Sequence, residues 1–178
     1  MNRKHILVFV LLILFAVMQT SMFPHMRIMN NIPNFVLVFV CVMAYFRGSN
    51  EGFVMGLVGG LMLDFLVGTR IGFYGLLFMF TGMITGLFPR KNVRDNFFLV
   101  LLITMSVIFP FELIAYWLRK IFVFFSTGMK SFTVETGEFL LRKILPEMVY
   151  NFIVFVPLYF IGKKIDVFLN KDKSIIDT

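Results

Sequence analysis

The sequence is poor in the residues on which soluble proteins and most enzymes depend. Charged residues make up 15% of the chain, well below the roughly 25% of a typical soluble domain. Cys41 is the only cysteine, which excludes an intrachain disulfide. His5 and His25, the only histidines, suggest no metal pair. These absences argue against a water-exposed surface and against a metal centre.

The chain contains six long apolar runs. They cover residues 6–23, 33–46, 52–66, 71–88, 97–118 and 145–162, and most Lys and Arg residues lie between them. Such runs approach or reach the roughly 20 residues that a helix needs to cross a membrane. We therefore predict an all-α integral membrane protein: one domain over residues 1–178, folded as a compact bundle of six transmembrane helices.

The basic residues set the expected orientation. Ten of the 17 Lys and Arg residues fall on the side that holds both termini, which predicts cytoplasmic N- and C-termini. Because this charge lies beside span ends, we expect it to meet lipid headgroups and not nucleic acid. In the long connection 119–144, residues 119–125 are amphipathic in composition and predict a continuation of the fifth helix, and residues 136–143 suggest a short interfacial helix.

The third run carries a glycine stripe, formed by Gly52, Gly56 and Gly60. These residues recur every four positions and Asp64 continues the series, so all four lie on one face of a helix. Glycines in such a pattern let a second helix approach closely in lipid. Arg70 is the nearest cation along the chain to Asp64, and an ion pair between the two is one expectation.

Two roles are open for the glycine stripe and Asp64. The first is packing between neighbouring spans, for which Gly82 and Gly86 of the fourth span are the expected facing surface. The second is contact with a partner protein.

The fifth and sixth runs contain buried polar residues. Glu112 lies deep in the fifth run, two residues after Pro110, where a lone charge would be costly in lipid. Asn151 in the sixth run is expected to hydrogen-bond to Glu112. A structural polar contact, a partner contact and ion or proton translocation all remain open for Glu112 and Asn151.

Enzymatic chemistry has little support in this sequence. It contains no HExxH, no Gly-x-Ser-x-Gly and no phosphate loop. We expect a protein that is not an enzyme, with no cofactor, no catalytic residue and no metal ligand.

Short motifs begin or end the central spans: Pro33-Asn34, Arg47-Gly48, Glu51-Gly52, the glycines from Gly56 to Asp64, and Gly72-Phe73-Tyr74. Glu112, Leu145-Pro146 and Asn151 extend this pattern toward the C-terminus. In these motifs the chain resembles the bacterial rod shape-determining protein MreD family.

The resemblance implies a non-enzymatic scaffold in the bacterial cytoplasmic membrane, a subunit of the rod complex or elongasome. It implies binding to the transmembrane helix of MreC, and a direct or indirect link to MreB and the RodA–transpeptidase pair that builds lateral peptidoglycan. A homodimer is left open. It also implies a bundle like that of the substrate-binding subunits of energy-coupling-factor transporters. The alternative function is accordingly a solute-binding subunit of a vitamin-type transporter of that kind.

Overall fold

The described part of the chain folds into six helices. The computed structural model describes residues 3–21, 33–67, 71–88, 96–127 and 143–171, and no strand occurs in those ranges. The all-helical prediction is therefore confirmed for them. The helices are α1 (Arg3–Ser21), α2 (Phe35–Arg47), α3 (Ser49–Val67), α4 (Phe73–Thr85), α5 (Phe97–Thr127) and α6 (Leu145–Lys171).

Each predicted apolar run coincides with one helix, and local chemistry sets several of the ends. The side chain of Asn34 accepts a hydrogen bond from the Leu37 N–H at 3.2 Å and so caps the start of α2. Gly48 alone separates α2 from α3, with a φ of 106° that only glycine adopts readily. Helices α2 and α3 therefore form one tight helical hairpin.

Helix α5 is longer than the run that predicted it. Its 31 residues extend about 46 Å, against a hydrocarbon core of about 30 Å. The predicted continuation of this helix beyond Arg119 is confirmed as far as Thr127. The suggested interfacial helix at 136–143 falls almost entirely outside the described residues.

Helix α2 lies at the centre of the bundle. It contacts each of the other five helices, and every side chain from Val36 to Phe46 is at most 3% exposed. Its 13 residues extend only about 20 Å. Because its neighbours cover it on all sides, α2 does not have to match the thickness of a bilayer by itself.

The outward faces of the surrounding helices are apolar. Large exposed apolar side chains occur on all five of them, among them Val10, Phe65, Leu76, Phe98 and Val149. Two helices are both long enough and apolar enough to cross a membrane, Ser49–Val67 and Phe97–Phe125. Three further apolar helices are shorter: Ile6–Ser21, Phe35–Arg47 and Phe73–Thr85.

Successive helices run in opposite directions. Contacts join the end of α1 to the start of α2, the end of α3 to the start of α4, and the end of α5 to the start of α6. We call this end of the bundle the distal end. The start of α1 and the end of α6 lie at the opposite end.

Candidate functional site

The glycine stripe of α3 lies directly against the backbone of α4. A methyl group added at Gly52, Gly56 or Gly60 would collide with a carbonyl oxygen of α4. In the same order, those carbonyls belong to Gly82, Phe78 and Tyr74. The two helices pack backbone to backbone, which only glycine permits.

The glycines expected to face this stripe do so. A methyl group at Gly82 would meet the backbone of Gly52, and one at Gly86 would meet the backbone of Ser49. The prediction that Gly82 and Gly86 face the third span is therefore confirmed. This contact occupies the face of α3 that carries the stripe.

Asp64 caps the start of α4. Its carboxylate accepts three backbone hydrogen bonds: Oδ2 from the N–H groups of Gly72 and Gly75 at 2.9 and 3.0 Å, and Oδ1 from Tyr74 at 3.0 Å. The side chain is 1% exposed. A carboxylate is unfavourable at the end of α3 but favourable at the positive N-terminus of α4. The observed partner of Asp64 is thus a helix terminus, whereas the expected partner, Arg70, lies outside the described residues.

Three amide side chains connect α1, α2 and α6 at the distal end. Asn151 Oδ1 of α6 accepts the backbone N–H of Asn34 at 2.9 Å, and Gln19 Oε1 of α1 accepts the N–H of Val36 at 3.2 Å. Gln19 Nε2 also donates to Asn34 Oδ1 at 3.4 Å. These bonds satisfy N–H groups in the first turn of α2, which have no partner within their own helix.

The expected hydrogen bond between Asn151 and Glu112 is wrong. The oxygen of Asn151 is bound to the Asn34 N–H, and its Nδ2 donates to no atom in the described part of the chain. The physical reason is that a buried N–H at the start of α2 needs an acceptor, and Asn151 supplies it. Both Asn151 and Glu112 are buried as expected, at 0% and 3% exposure.

Glu112 belongs instead to a charged quartet at the distal end, formed by Glu112 and Arg119 of α5 with Lys143 and Glu147 at the start of α6. Glu112 interacts electrostatically with the other three residues. Burial, followed by the nearby Arg119 guanidinium, lowers the pKa of Lys143 below its usual range. The quartet therefore brings two acidic and two basic side chains together at the distal end.

A second ion pair lies at the opposite end of the bundle. Arg47 donates to both carboxylate oxygens of Glu51, at 2.7 and 2.8 Å, across the hairpin between α2 and α3. Both residues are part of the Arg-Gly and Glu-Gly motifs noted in the sequence. This ion pair stabilises the hairpin, whose tight turn is made possible by Gly48.

Several polar residues of the bundle were not singled out from the sequence. Nothing in the sequence distinguished Gln19, which lies near the end of an apolar run. The same holds for Thr104 and Asp166, although both are buried. Glu147 was not singled out either. Its spacing of four residues from Asn151, and from Lys143, was the available signal for a shared helix face. Within the described ranges, no group of three or more His, Cys, Asp and Glu residues could hold a metal ion.

The apolar outer faces and the two described helices of membrane-spanning length fit a membrane protein built as a helical bundle. The chain belongs to the family of the rod shape-determining protein MreD, whose family model matches residues 2–169 of the 178. The resemblance noted in the sequence is thereby confirmed. Neither a curated protein nor a solved structure matches the chain. Membership assigns the protein a role in rod shape determination, in a family that is not known for enzymes.

Proposed function

We propose that this protein is a non-enzymatic scaffold of the rod complex that binds the transmembrane helix of MreC and helps to organise lateral peptidoglycan synthesis. The observation that carries the proposal is the family match over residues 2–169. The apolar outer faces of the bundle support it, since they offer surface on which a partner's membrane helix can pack. Contact with MreB and the RodA–transpeptidase pair, direct or through MreC, belongs to the same proposal.

The proposed setting is the cytoplasmic membrane, crossed six times with both termini in the cytoplasm. The alternating helix directions support this topology, because they bring the start of α1 and the end of α6 to one end. The short helices α2 and α4 are accommodated by burial of α2 and by local thinning or tilt at α4. The distal end would then face the periplasm.

For the glycine stripe and Asp64 we propose the first of the two expected roles, packing inside the protein. The support is that the glycines contact the α4 backbone and Asp64 binds the start of α4. A partner helix would have to separate α3 from α4 to reach them. Docking on the exposed apolar faces of other helices requires no such separation.

The experiment is affinity purification of the tagged protein from detergent-solubilised native membranes, with the associated proteins identified by mass spectrometry. We expect MreC and wall-synthesis enzymes in amounts comparable with the tagged chain. A tagged, unrelated six-span protein expressed at the same level serves as control. Absence of MreC from the purified sample, at a level that recovers intact tagged protein, would refute the scaffold function.

The alternative, a solute-binding subunit of a vitamin-type transporter, has one observation in its favour: buried polar groups collect at the distal end. Against it, Thr81 and Thr85 direct their hydroxyls to carbonyls of their own helix, at 2.7 and 2.8 Å. Asn34 likewise binds within the fold. Recovery of an ATPase module and its coupling subunit in the same purification would favour this alternative.

A further inference from the structure

One face of α5 is buried in the first half of the helix and exposed in the second half. Apolar residues recur along this face at spacings of three and four, the pattern with which one helix packs along another. The first three, Val100, Ile103 and Val107, are at most 8% exposed, whereas the last four are 41–81% exposed. We call these last four residues the distal stripe: Ile114, Leu118, Ile121 and Phe125.

The distal stripe crosses the boundary of the hydrocarbon core at the distal end. Lys143 and Lys163 are 20 residues apart, and the corresponding helical rise of about 30 Å matches the thickness of the core. Lys143 interacts electrostatically with Arg119 of α5, so Arg119 lies near the distal boundary. Phe125 is six residues further along α5. It therefore stands about 9 Å beyond Arg119, past a headgroup layer of roughly 5–7 Å.

Only a helix that crosses this boundary can cover the whole distal stripe. Lipid tails reach Ile114 but not Phe125, which is 81% exposed and would be left in water. Residues 128–142, which follow α5 in the chain, carry four charged side chains, two of each sign. Such charges are costly beside Ile114 in the hydrocarbon core, so this segment is a poor cover for the lower part of the stripe.

Helix α5 of a second copy is a helix of the required kind. Two copies in one membrane have the same orientation, so a two-fold axis along the membrane normal places their α5 helices parallel and at equal height. Each residue of the stripe then meets its own counterpart, and the stripe is covered over its full length. The nearby charges do not oppose this pairing. At 100° per residue, Arg119 and Lys120 each lie about 130° around the helix from the centre of the stripe.

We propose that the distal stripe of α5 joins two copies of this protein in a parallel homodimer. Ile114 and Leu118 pack against their counterparts below the level of Arg119, and Ile121 and Phe125 do so beyond it. The contact continues, outside the bundle, the face that α5 already buries inside it. This inference goes beyond the proposed function and does not depend on the binding of MreC.

Cysteine crosslinking in native membranes tests the contact directly. In a Cys41→Ala background, Ile121→Cys and Phe125→Cys should each give a disulfide-linked dimer on treatment with an oxidant, because a disulfide requires Cα atoms within about 7 Å of each other. Val123→Cys is the matched control. Val123 is 40% exposed against 46% for Ile121, but it lies about 170° around the helix from the centre of the stripe. We expect it to give roughly tenfold less dimer.

A second measurement introduces like charges into the contact. Two copies with different tags are expressed together and purified through one tag, and recovery of the other tag measures the dimer. Ile121→Lys in both copies should recover roughly tenfold less of the second tag than the wild type, whereas Val123→Lys should recover a similar amount. Both residues lie beyond Ala115, the last buried residue in the described part of α5, so both variants should fold and accumulate normally.

The outcomes separate the occupants of the stripe. A dimer from Ile121→Cys and not from Val123→Cys supports the homodimer, and this crosslink decides if detergent separates the copies. Equal crosslinking of the two variants overturns it. A crosslink from Ile121→Cys to a different protein, or no crosslink at all, also overturns it and assigns the stripe to a partner or to residues 128–142 and lipid. Failure to recover MreC refutes the scaffold function and leaves these measurements unchanged.

Discussion

Individual polar residues in this protein accept hydrogen bonds from backbone N–H groups at the start of a neighbouring helix. Asp64 accepts backbone N–H groups at the start of α4, and Asn151 accepts one at the start of α2. N–H groups at a helix start have no acceptor within the helix to which they belong. Inside a membrane no water is available for this purpose, so an amide or carboxylate from another helix is a strong substitute. The sequence indicated that Asn151 is buried but pointed to the wrong partner for it, and it did not indicate that Asp64 caps a neighbouring helix.

Replacement of Asp64 by alanine should destabilise the protein strongly. Three backbone N–H groups, one of them buried and two partly buried, would lose their acceptor, at a cost of about 3 kcal/mol in the free energy of unfolding. Asp64→Asn, with one oxygen left, should lie between the wild type and Asp64→Ala. Thermal unfolding in detergent measures the order of the three proteins.

Glu51→Gln is the control for this series, since Glu51 is 37% exposed and its pair with Arg47 should contribute at most about 1 kcal/mol. Equal melting temperatures for Asp64→Ala and Glu51→Gln would contradict the assigned role of Asp64.

At the scale of helices, the contact between α3 and α4 is the one for which the sequence pattern gave a signal. The regular spacing of glycines predicted a helix contact, and the facing glycines followed from their position in the next run. The spacing did not tell whether the contact was internal or with a partner, because the same groove suits both.

Alanine at Gly56 should destabilise the protein more than alanine at Gly59. Both changes gain about 1 kcal/mol of helix propensity. At Gly56 the new methyl meets the Phe78 backbone, which cannot move without moving α4. At Gly59 the nearest atom is Val36 Cγ1 at 2.9 Å, a methyl group of a buried side chain, so a small movement of Val36 is required but no movement of a helix backbone.

Urea or thermal unfolding in detergent, measured on both variants, tests this matched pair. We expect Gly56→Ala to lose about 2 kcal/mol or more and Gly59→Ala to remain within about 1 kcal/mol of the wild type. Equal losses would mean that α3 and α4 part easily and that the stripe is not a fixed contact.

At the scale of the whole molecule, the bundle has a central helix and a polar distal end. Helix α2 is shielded by five neighbours, while amides, a capping carboxylate and the charged quartet gather where α2, α4 and α6 begin. The opposite end holds the Arg47–Glu51 pair. The two ends therefore differ in chemistry, which suits a protein that faces two compartments.

The proposed topology predicts which end a membrane-impermeant thiol reagent reaches. In a Cys41→Ala background, which removes the only cysteine, Lys120→Cys at the distal end should be labelled in intact spheroplasts. Lys164→Cys, near the end of α6, should be labelled only after the membrane is opened. The reverse pattern would place the termini outside, and labelling of both without opening the membrane would contradict a closed six-span bundle.

The sequence by itself determined the membrane environment, the approximate positions of the six helices, the family and the presence of a glycine contact face on α3. These features depend on composition, run length and local spacing, all of which are readable along the chain. The tertiary structure alone decided that α2 is central, that Asp64 caps α4 and that Asn151 binds Asn34 and not Glu112. The reason is physical: in lipid both the core and the outer surface are apolar, so the pattern of apolar residues does not indicate which face of a helix is buried. Polar contacts between helices that are distant in sequence can therefore be identified only from the tertiary structure.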